Sequence, residues 1–431
     1  MRSTWRDLPV LLRYPQMWRQ RLLPSLANRT WWLTSRLAST YRRTVVRNTR
    51  VVAVVGSLGK STTTRAVSAA LGYHLPPWYQ HSFKNVYNSV GLRIFGVRPS
   101  DPHMVVEVGI REPGQMAPIA QMLQPDIVVV TSIMSEHQQY FGTLQVTRAE
   151  KSEMVRALPA SGTAVLNGDD PNVLWMQDRT RARAVTFGFS KSNDIHAEEI
   201  SLDWPKGMRF RLHAWGEARD VSIRLLGKHM VYPVLAAVAV ARYEGLSLDQ
   251  ILPALKALLP TPARLQPVWL EDGTIVLRDD AKAGLESTEA ALDLLSDIPA
   301  PRRGVVLGKL YDILGDPNPV YFDLGRRVAG LAAFAVFVGA DPAMEACIEG
   351  ARRGGLPPDK ITRVTSPFSD ILPAVRRQME PGDVILVKGV SSRRLGQISL
   401  LLEGRPVRCD RLDCTWGVQC DHCPMLERGW G

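Results

Sequence analysis

The sequence lacks any long hydrophobic run. No uncharged apolar stretch approaches the roughly 18–20 residues that span a bilayer, and arginines interrupt the apolar N-terminal segment, which excludes a clean secretory signal. Apolar residues make up 45% and charged residues 22% of the 431 positions, as in an ordinary globular protein. We therefore expect a cytoplasmic protein of two or three domains and leave open a peripheral association with the inner face of the membrane.

Cysteine is scarce outside one short segment. Four of the five cysteines lie within the last 23 residues, at Cys409, Cys414, Cys420 and Cys423, and only Cys347 lies elsewhere. Because disulfides are uncommon in cytoplasmic enzymes, this clustering favours a metal over a disulfide. Four thiolates suit a structural Zn²⁺, with an iron–sulfur cluster or free thiols as the alternatives, and His422 could replace one of the cysteines.

Acidic residues are nearly absent from the first 50 positions. These positions hold eleven arginines, no lysine and one acid, so they carry +10 of the net charge of +11. The rest of the chain is close to neutral, and we expect no nucleic-acid partner. The basic segment also contains tryptophans and proline-broken, leucine-rich stretches, at Trp5, Trp18, Trp31 and Trp32. It is predicted to form short amphipathic helices that meet a membrane surface, an acidic protein partner or the substrate, or that pack on their own protein.

The strongest motif occupies residues 51–71. Val51–Val55 is a β-branched apolar run typical of a buried strand. A glycine-rich turn follows over residues 56–61, and Thr62–Leu71 is predicted to form a helix. Such a turn is an anion site, because backbone N–H groups and the positive end of the helix dipole point at phosphate oxygens. Lys60 would reach the β- and γ-phosphates and Ser61 would hold Mg²⁺. Val54 replaces the first glycine of the longer phosphate-loop pattern, but the motif still predicts binding of a nucleoside triphosphate.

The order of predicted elements indicates an α/β protein. Between 51 and about 260, apolar strands alternate with helices, which predicts a mostly parallel, doubly wound sheet with a small antiparallel sheet around 186–226. A proline-rich break at 259–262 leads into a second α/β unit that lacks G-x-G-x-x-G. We predict four parts: a basic N-terminal arm (1–48), a central P-loop ATP-binding domain with a parallel sheet (49–260), a smaller Rossmann-like domain (263–406) and a Cys-rich tail (407–431).

Three further candidate site features lie downstream of the phosphate loop, where predicted strands end. Glu107 lies inside an apolar strand, where a carboxylate needs a cation, either Mg²⁺ or a salt-bridge partner. His137 follows the next strand, and alone it would be an ordinary surface or core histidine. Lys151 lies between Glu150 and Glu153 on a predicted helix, and alone it would belong to a solvated helix face.

Together with the phosphate loop, these features resemble the Mur ligase superfamily, the ATP-dependent amide ligases of peptidoglycan precursor synthesis. The stretch G-S-L-G-K-S-T is similar to the family's phosphate loop, and residues 84–91 are similar to its N-x-x-N-x-x-G segment. V-V-E-V-G resembles the strand whose glutamate binds Mg²⁺, and residues 135–154 resemble a histidine segment followed by A-K-x-E. The resemblance runs from about 50 to 400 and is strongest in the D-alanyl-D-alanine-adding branch.

The resemblance implies an ATP-dependent ligase that forms an amide (peptide) bond between an acid and an amine through an acyl phosphate. Carried over, the ATP-binding residues are Gly56, Ser57, Gly59, Lys60, Ser61, Thr62, His229 and Arg264. Two Mg²⁺ ions are implied, and their ligands, among them a carbamylated lysine, are Ser61, Glu107, His137 and Lys151. Catalytic roles are implied for Lys60, His137, Lys151 and Lys282. Substrate contacts are implied for Asn85, Asn88, Asp280, Lys388 and Ser391.

Two departures from the family pattern bear on the substrate. Only residues 1–50 precede the phosphate-loop domain, where family members that take UDP-linked substrates have a larger domain for the uridine nucleotide. Met230 and Pro233 stand where the family has two asparagines, the first of which contacts adenine. We therefore expect a substrate other than the usual UDP-muramoyl peptide. The alternatives are an authentic peptidoglycan precursor ligase of the D-Ala-D-Ala-adding type and, from another class, a nucleotide-binding regulatory or scaffold subunit.

Overall fold

The computed structural model describes residues 30–75, 87–134, 138–365, 370–390, 394–409, 414 and 419–429, without the side chains at 87, 88, 138 and 139. These residues form an α/β fold with two mixed sheets, one of eight strands and one of six. No helix in the described ranges is long and apolar enough to cross a membrane.

The first sheet belongs to the N-terminal half of the chain. Its strands are β1 Arg50–Val55, β2 His103–Glu107, β3 Ile127–Val130, β4 Thr163–Asn167, β5 Arg183–Gly188, β6 Ile195–Asp203, β7 Gly207–Ala214 and β8 Glu217–Ile223. The helices among them are α1 Trp31–Thr44, α2 Lys60–Ala70, α3 Tyr87–Ile94, α4 Met116–Leu123, α5 Gln138–Phe141, α6 Leu144–Arg156, α7 Pro171–Leu174, α8 Val231–Tyr243 and α9 Leu248–Ala257.

The strand order of this sheet is β2-β1-β3-β4-β5-β6-β7-β8. The first six strands, β1 to β6, all run parallel to one another. Strands β7 and β8 continue the sheet in antiparallel pairs. The predicted antiparallel strands are therefore present but do not form a separate sheet. The physical reason is that Phe187 and Gly188 at the end of β5 pair with Ile195 and His196 of β6.

Buried apolar side chains fix the layers around the sheet. Val51–Val55 is almost completely buried, as its β-branched composition predicts. Helix α8 is apolar on nearly every side, and it is buried between the sheet and helix α2. A helix without a polar face can be stable only in such a position.

The second half of the predicted N-terminal arm packs on the first sheet's domain. Helix α1 buries Ala38, and the Arg42 guanidinium donates to the Leu123 carbonyl at 3.2 Å and pairs with Asp126 at 3.1 Å. This described part of the arm therefore packs on its own protein. Trp5 and Trp18 lie outside the described residues.

The second sheet follows the proline-rich break. Its strands are β9 Gln266–Trp269, β10 Ile275–Asp279, β11 Arg303–Gly308, β12 Phe334–Val338, β13 Ile361–Val364 and β14 Val384–Lys388, in the order β13-β12-β11-β14-β10-β9. The helices are α10 Leu285–Asp297, α11 Asn318–Ala329, α12 Ala343–Arg353, α13 Ile371–Gln378 and α14 Gly396–Leu402. The two edge strands, β9 and β13, are short and only partly buried, and they lack the apolar run of a central strand.

The C-terminal tail folds back onto the second domain. The backbone N–H groups of Arg408 and Cys409 both donate to the Leu426 carbonyl, at 2.8 and 3.1 Å. Asp421 accepts two hydrogen bonds from the Arg278 guanidinium, at 2.5 and 3.0 Å. The tail is thereby attached to strand β10, whose carboxyl end borders the site described next.

Candidate active site

A cavity of about 520 Å³ opens between the two sheets. Its walls are the segments that follow the carboxyl ends of parallel strands, the usual place for ligands in open α/β sheets. The first domain contributes residues 57–63 after β1, Glu107 at the end of β2 and residues 131–134 after β3. The second domain contributes Arg264, Asp279, Lys282, Glu286, Ser287 and Lys388.

The predicted phosphate loop, residues 56–61, borders the cavity and is held by the end of β3. The Ser57 and Leu58 N–H groups donate to the carbonyl and the hydroxyl oxygen of Ser132. Gly56 has φ +140°, and a Cβ there would lie 2.0 Å from the Thr131 hydroxyl oxygen. Only glycine fits this close approach, which explains why the turn begins with that residue.

Lys60 lies over this loop. Its side chain is buried, and its ammonium donates to the carbonyls of Gly56 at 2.9 Å and Ser57 at 2.6 Å. The first turn of α2 begins at the same residue, with Gly59 in the left-handed conformation as its N-cap. A cation and the positive end of a helix thus converge at one point of the cavity wall.

Ser61 and Glu107 meet beside Lys60. The Ser61 hydroxyl donates to the Glu107 carboxylate at 2.8 Å, and the carboxylate is almost fully buried. They meet because Ser61 lies in the helix that follows β1, and Val54 near the end of β1 pairs with Glu107 of the parallel strand β2. A hydroxyl and a carboxylate are hard oxygen ligands of the kind that Mg²⁺ prefers, so the pair fits the predicted magnesium site.

Lys151 lies behind the loop rather than in the cavity wall. It is buried on α6, and its ammonium donates to the Ser57 hydroxyl oxygen at 2.9 Å. This hydrogen bond joins Lys151 directly to the phosphate loop. Three predicted site residues, Asn85, His137 and Ser391, lie outside the described residues, and Asn88 lies in α3 but its side chain is not described.

In the second domain the cavity ends at a buried ion pair. The Lys388 ammonium donates to Asp279 at 2.6 Å, to the Lys282 carbonyl at 2.9 Å and to the Ser287 hydroxyl at 3.2 Å. Burial lowers the pKa of Lys388, and the Asp279 carboxylate opposes that shift. His229 lines the cavity from the first domain, and desolvation lowers its pKa, so the imidazole is neutral at neutral pH.

Asp280 does not line the described cavity, which its neighbour Asp279 lines instead, and its predicted substrate contact stays a prediction. Asp280 is paired with Arg278 at 3.3 Å on the side of β10 that faces the tail. Successive side chains along a strand point to opposite faces, so Asp279 and Asp280 cannot both face the same space. Strand alternation was the signal that could have identified Asp279.

Asp169 and Tyr232, neither of them predicted, line the cavity near 227–233, and Phe189 packs against Tyr232. Asp169 accepts hydrogen bonds from the Tyr232 hydroxyl at 2.9 Å and the Phe189 N–H at 2.5 Å. The two rings pack with their centroids 4.1 Å apart. Desolvation and the Asp169 carboxylate raise the pKa of Tyr232, which keeps its hydroxyl protonated. Asp169 and Tyr232 line the cavity beside the two positions where the family pattern is lost.

The four tail cysteines gather around Arg394. Its guanidinium donates to the Cys409 sulfur at 3.0 Å, and although desolvation opposes the shift, the surrounding cysteines raise the pKa of Arg394. Burial raises the pKa of Cys420 to about 12, so without a metal it is a thiol. Among the described residues the cysteines do not form a set of three with ligand atoms within 4.8 Å of one another. Zinc in the tail stays a prediction.

Comparisons with known proteins agree on the two domains. Residues 54–241 match the Mur ligase middle domain, and residues 263–390 match the Mur ligase glutamate ligase domain. The UDP-N-acetylmuramoyl-tripeptide–D-alanyl-D-alanine ligase of Mycobacterium tuberculosis is 31% identical over 369 residues, which is 81% of this chain and 72% of that protein. The enzyme of the same name from Bacillus subtilis is 27% identical over 353 residues, 81% of this chain and 75% of that protein.

Solved structures show the same fold. A crystal structure of MurF from Acinetobacter baumannii has a TM-score of 0.74 and 22% identity, covering 86% of this chain and 80% of that one. The MurF ligase of Thermotoga maritima in complex with ADP has a TM-score of 0.73 and 20% identity, covering 86% and 83%.

Proposed function

Because the chain belongs to the Mur ligase family and is an ATP-dependent amide ligase, we propose that the cavity between its domains is the active site. There ATP would phosphorylate a substrate carboxylate, and an amine would attack the acyl phosphate to form an amide with release of phosphate. The observation that carries this proposal is the contact of Ser61 with Glu107 beside Lys60, opposite Lys282 and Lys388 of the other domain.

The phosphate loop supplies what phosphoryl transfer requires. Such reactions need positioning and charge neutralisation more than covalent assistance. Lys60 and the N-terminus of α2 would neutralise the β- and γ-phosphates, and Ser61 and Glu107 would hold Mg²⁺. When bound, that ion would offset the charge of the phosphate oxygens. Arg264 and Lys282 would close on the nucleotide from the second domain and exclude water from an intermediate that hydrolyses.

Lys151 is proposed to act as a carbamate. Its ammonium would first lose a proton; the resulting amine would attack CO₂, forming an N–C bond and losing a second proton, which converts a cation into an anion. With His137, this carbamate would hold a second Mg²⁺ near the acyl phosphate. Support comes from its burial and from its hydrogen bond to Ser57 of the phosphate loop. A carbamate there would turn a lysine beside a metal site into a ligand instead of a repelling charge.

Replacing Lys151 with alanine is expected to lower ATP-dependent phosphate release by about 10²-fold or more, since the charge it supplies acts in a water-excluded site. Added formate or acetate should restore part of the rate by supplying a carboxylate in place of the carbamate. Lys256→Ala, an exposed lysine of α9, is the matched control and should keep full activity. Full turnover by Lys151→Ala would exclude the proposed role.

The acid and the amine are proposed to be small molecules or peptides, and the relatives supply the first pair to test. Those proteins are named for UDP-N-acetylmuramoyl-tripeptide and D-alanyl-D-alanine. A different pair is favoured by Met230 and Pro233, which stand where the family has asparagines, and by the Tyr232–Asp169 contact beside them.

Phosphate release with ATP and Mg²⁺ against a panel of acids and amines distinguishes these candidates. The panel contains UDP-muramoyl peptides, free amino acids and glutamyl peptides. Turnover that requires UDP-muramoyl tripeptide and D-alanyl-D-alanine would identify a peptidoglycan precursor ligase, and dependence on another pair would identify a different substrate. Nucleotide binding without turnover for any pair would contradict the proposal.

A further inference from the structure

A group of metal-ligating side chains lies on the antiparallel part of the first sheet. His196 and Glu198 are two residues apart on β6, so they project from the same face. His213 on β7 is the direct cross-strand partner of His196. One ligand atom from each of the three residues lies within 4.8 Å of the others, and this is the one such set that the described ranges contain.

The distances within this group are those of ligands rather than of hydrogen-bonded partners. His196 Nε2 lies 3.6 Å and His213 Nε2 lies 3.7 Å from the Glu198 carboxylate oxygens. These separations are too long for good hydrogen bonds. Ligand atoms about 2.1 Å from a tetrahedral zinc ion lie about 3.4 Å apart, close to both values.

The two imidazoles lie side by side on one face of the sheet. Their rings are parallel within 3°, with centroids 4.7 Å apart. His196 Nδ1 faces the Asn193 carbonyl at 3.4 Å, the outer contact that commonly orients a metal-binding histidine and leaves Nε2 for the ion. His213 Nε2 is buried and makes no hydrogen bond to any residue that the structure describes.

We propose that His196, Glu198 and His213 bind a divalent transition-metal ion of the zinc class. Two imidazoles and one carboxylate form a three-ligand set that leaves a fourth position for water. Imidazole suits zinc, copper and nickel, whereas Mg²⁺ prefers oxygen ligands, so the site selects against the ion that accompanies ATP. The ion would join β6 to β7 just before the irregular register between Glu198 and Ser201.

Lys191 would compete with the ion. Its ammonium lies 2.7 Å from a Glu198 oxygen, but its side chain is 79% exposed, so it can move into solvent when a metal binds. Removing this cation takes away a competitor for the carboxylate without touching a ligand. The proposal therefore predicts that one variant binds metal more tightly, which a purely structural role of these residues would not produce.

The test is a titration of the full-length, chelator-stripped chain with Co²⁺ in saturating Mg²⁺, followed by competition with Zn²⁺. Absorption separates this site from the tail cysteines, because only thiolate ligands give intense sulfur-to-cobalt charge-transfer bands. We expect one cobalt without such bands, bound at least about tenfold more weakly by His213→Gln and Glu198→Gln. Lys191→Ala should bind it more tightly. His74→Gln, an exposed histidine outside the group, is the matched control.

Two results would overturn the proposal. One is the absence of any bound cobalt other than the thiolate-ligated kind in the wild-type chain. The other is an affinity that His213→Gln and His74→Gln leave equally unchanged. Circular dichroism of each variant verifies that the sheet is retained, and Glu198→Gln changes no side-chain volume.

Discussion

Lys60→Ala is expected to lower both phosphate release and amide formation by about 10³-fold, because it removes the phosphate-loop cation from a site where charge stabilisation dominates. The Lys60 ammonium lies within 2.9 Å of two loop carbonyls, at the N-terminus of α2 and next to the Ser61–Glu107 pair. The measurement is steady-state turnover with the acid and amine that the substrate panel identifies. Binding of a fluorescent ATP analogue, measured in parallel, separates loss of nucleotide from loss of chemistry.

The control for Lys60→Ala is Lys206→Ala, in the exposed turn between β6 and β7. This control should keep the wild-type rate. If Lys60→Ala also kept it, the phosphate loop would have no part in catalysis, and a regulatory or scaffold role of the nucleotide site would explain the chain better.

Asp279→Asn is expected to lower the free energy of unfolding by about 3–5 kcal/mol, since it leaves the buried Lys388 cation without its carboxylate. The Lys388 side chain is only 1% exposed, and its ammonium lies 2.6 Å from Asp279. Neutral replacement of both partners should be far less harmful than loss of one. The measurement is urea denaturation of Asp279→Asn, Lys388→Met and the double variant.

The double variant also separates stability from activity. We expect Asp279→Asn with Lys388→Met to regain most of the lost stability but not the ligase activity, because both side chains line the cavity. A single Asp279→Asn variant as stable as the wild type would show that the ion pair does not stabilise the second domain.

The features that could be predicted from the sequence are those whose residues are contiguous. The strand Val51–Val55, its glycine turn and the helix from Lys60 form one local unit, so composition and spacing describe it well. Ser61 and Glu107 were each predicted to hold Mg²⁺, but their direct contact was not predicted, because it depends on which strand lies beside β1.

The features that could not be predicted depend on register and on long-range pairing. The period-two pattern around 186–226 indicated antiparallel strands, but it did not reveal that His196 lies opposite His213. The same limit explains the choice of Asp280 over Asp279, which turns on the face of β10 that each side chain occupies. The attachment of the tail through Asp421 and Arg278 joins positions far apart in sequence that no local pattern connects.

The central claim is that this chain activates a carboxylate by phosphorylation, and isotope transfer tests it most directly. The acid identified by the panel would be labelled with ¹⁸O in its carboxylate and incubated with the amine, ATP and Mg²⁺. An acyl-phosphate route predicts one ¹⁸O in the phosphate for each amide formed, because the carboxylate oxygen leaves with the phosphoryl group. Unlabelled phosphate, or release of AMP and pyrophosphate, would contradict the claim.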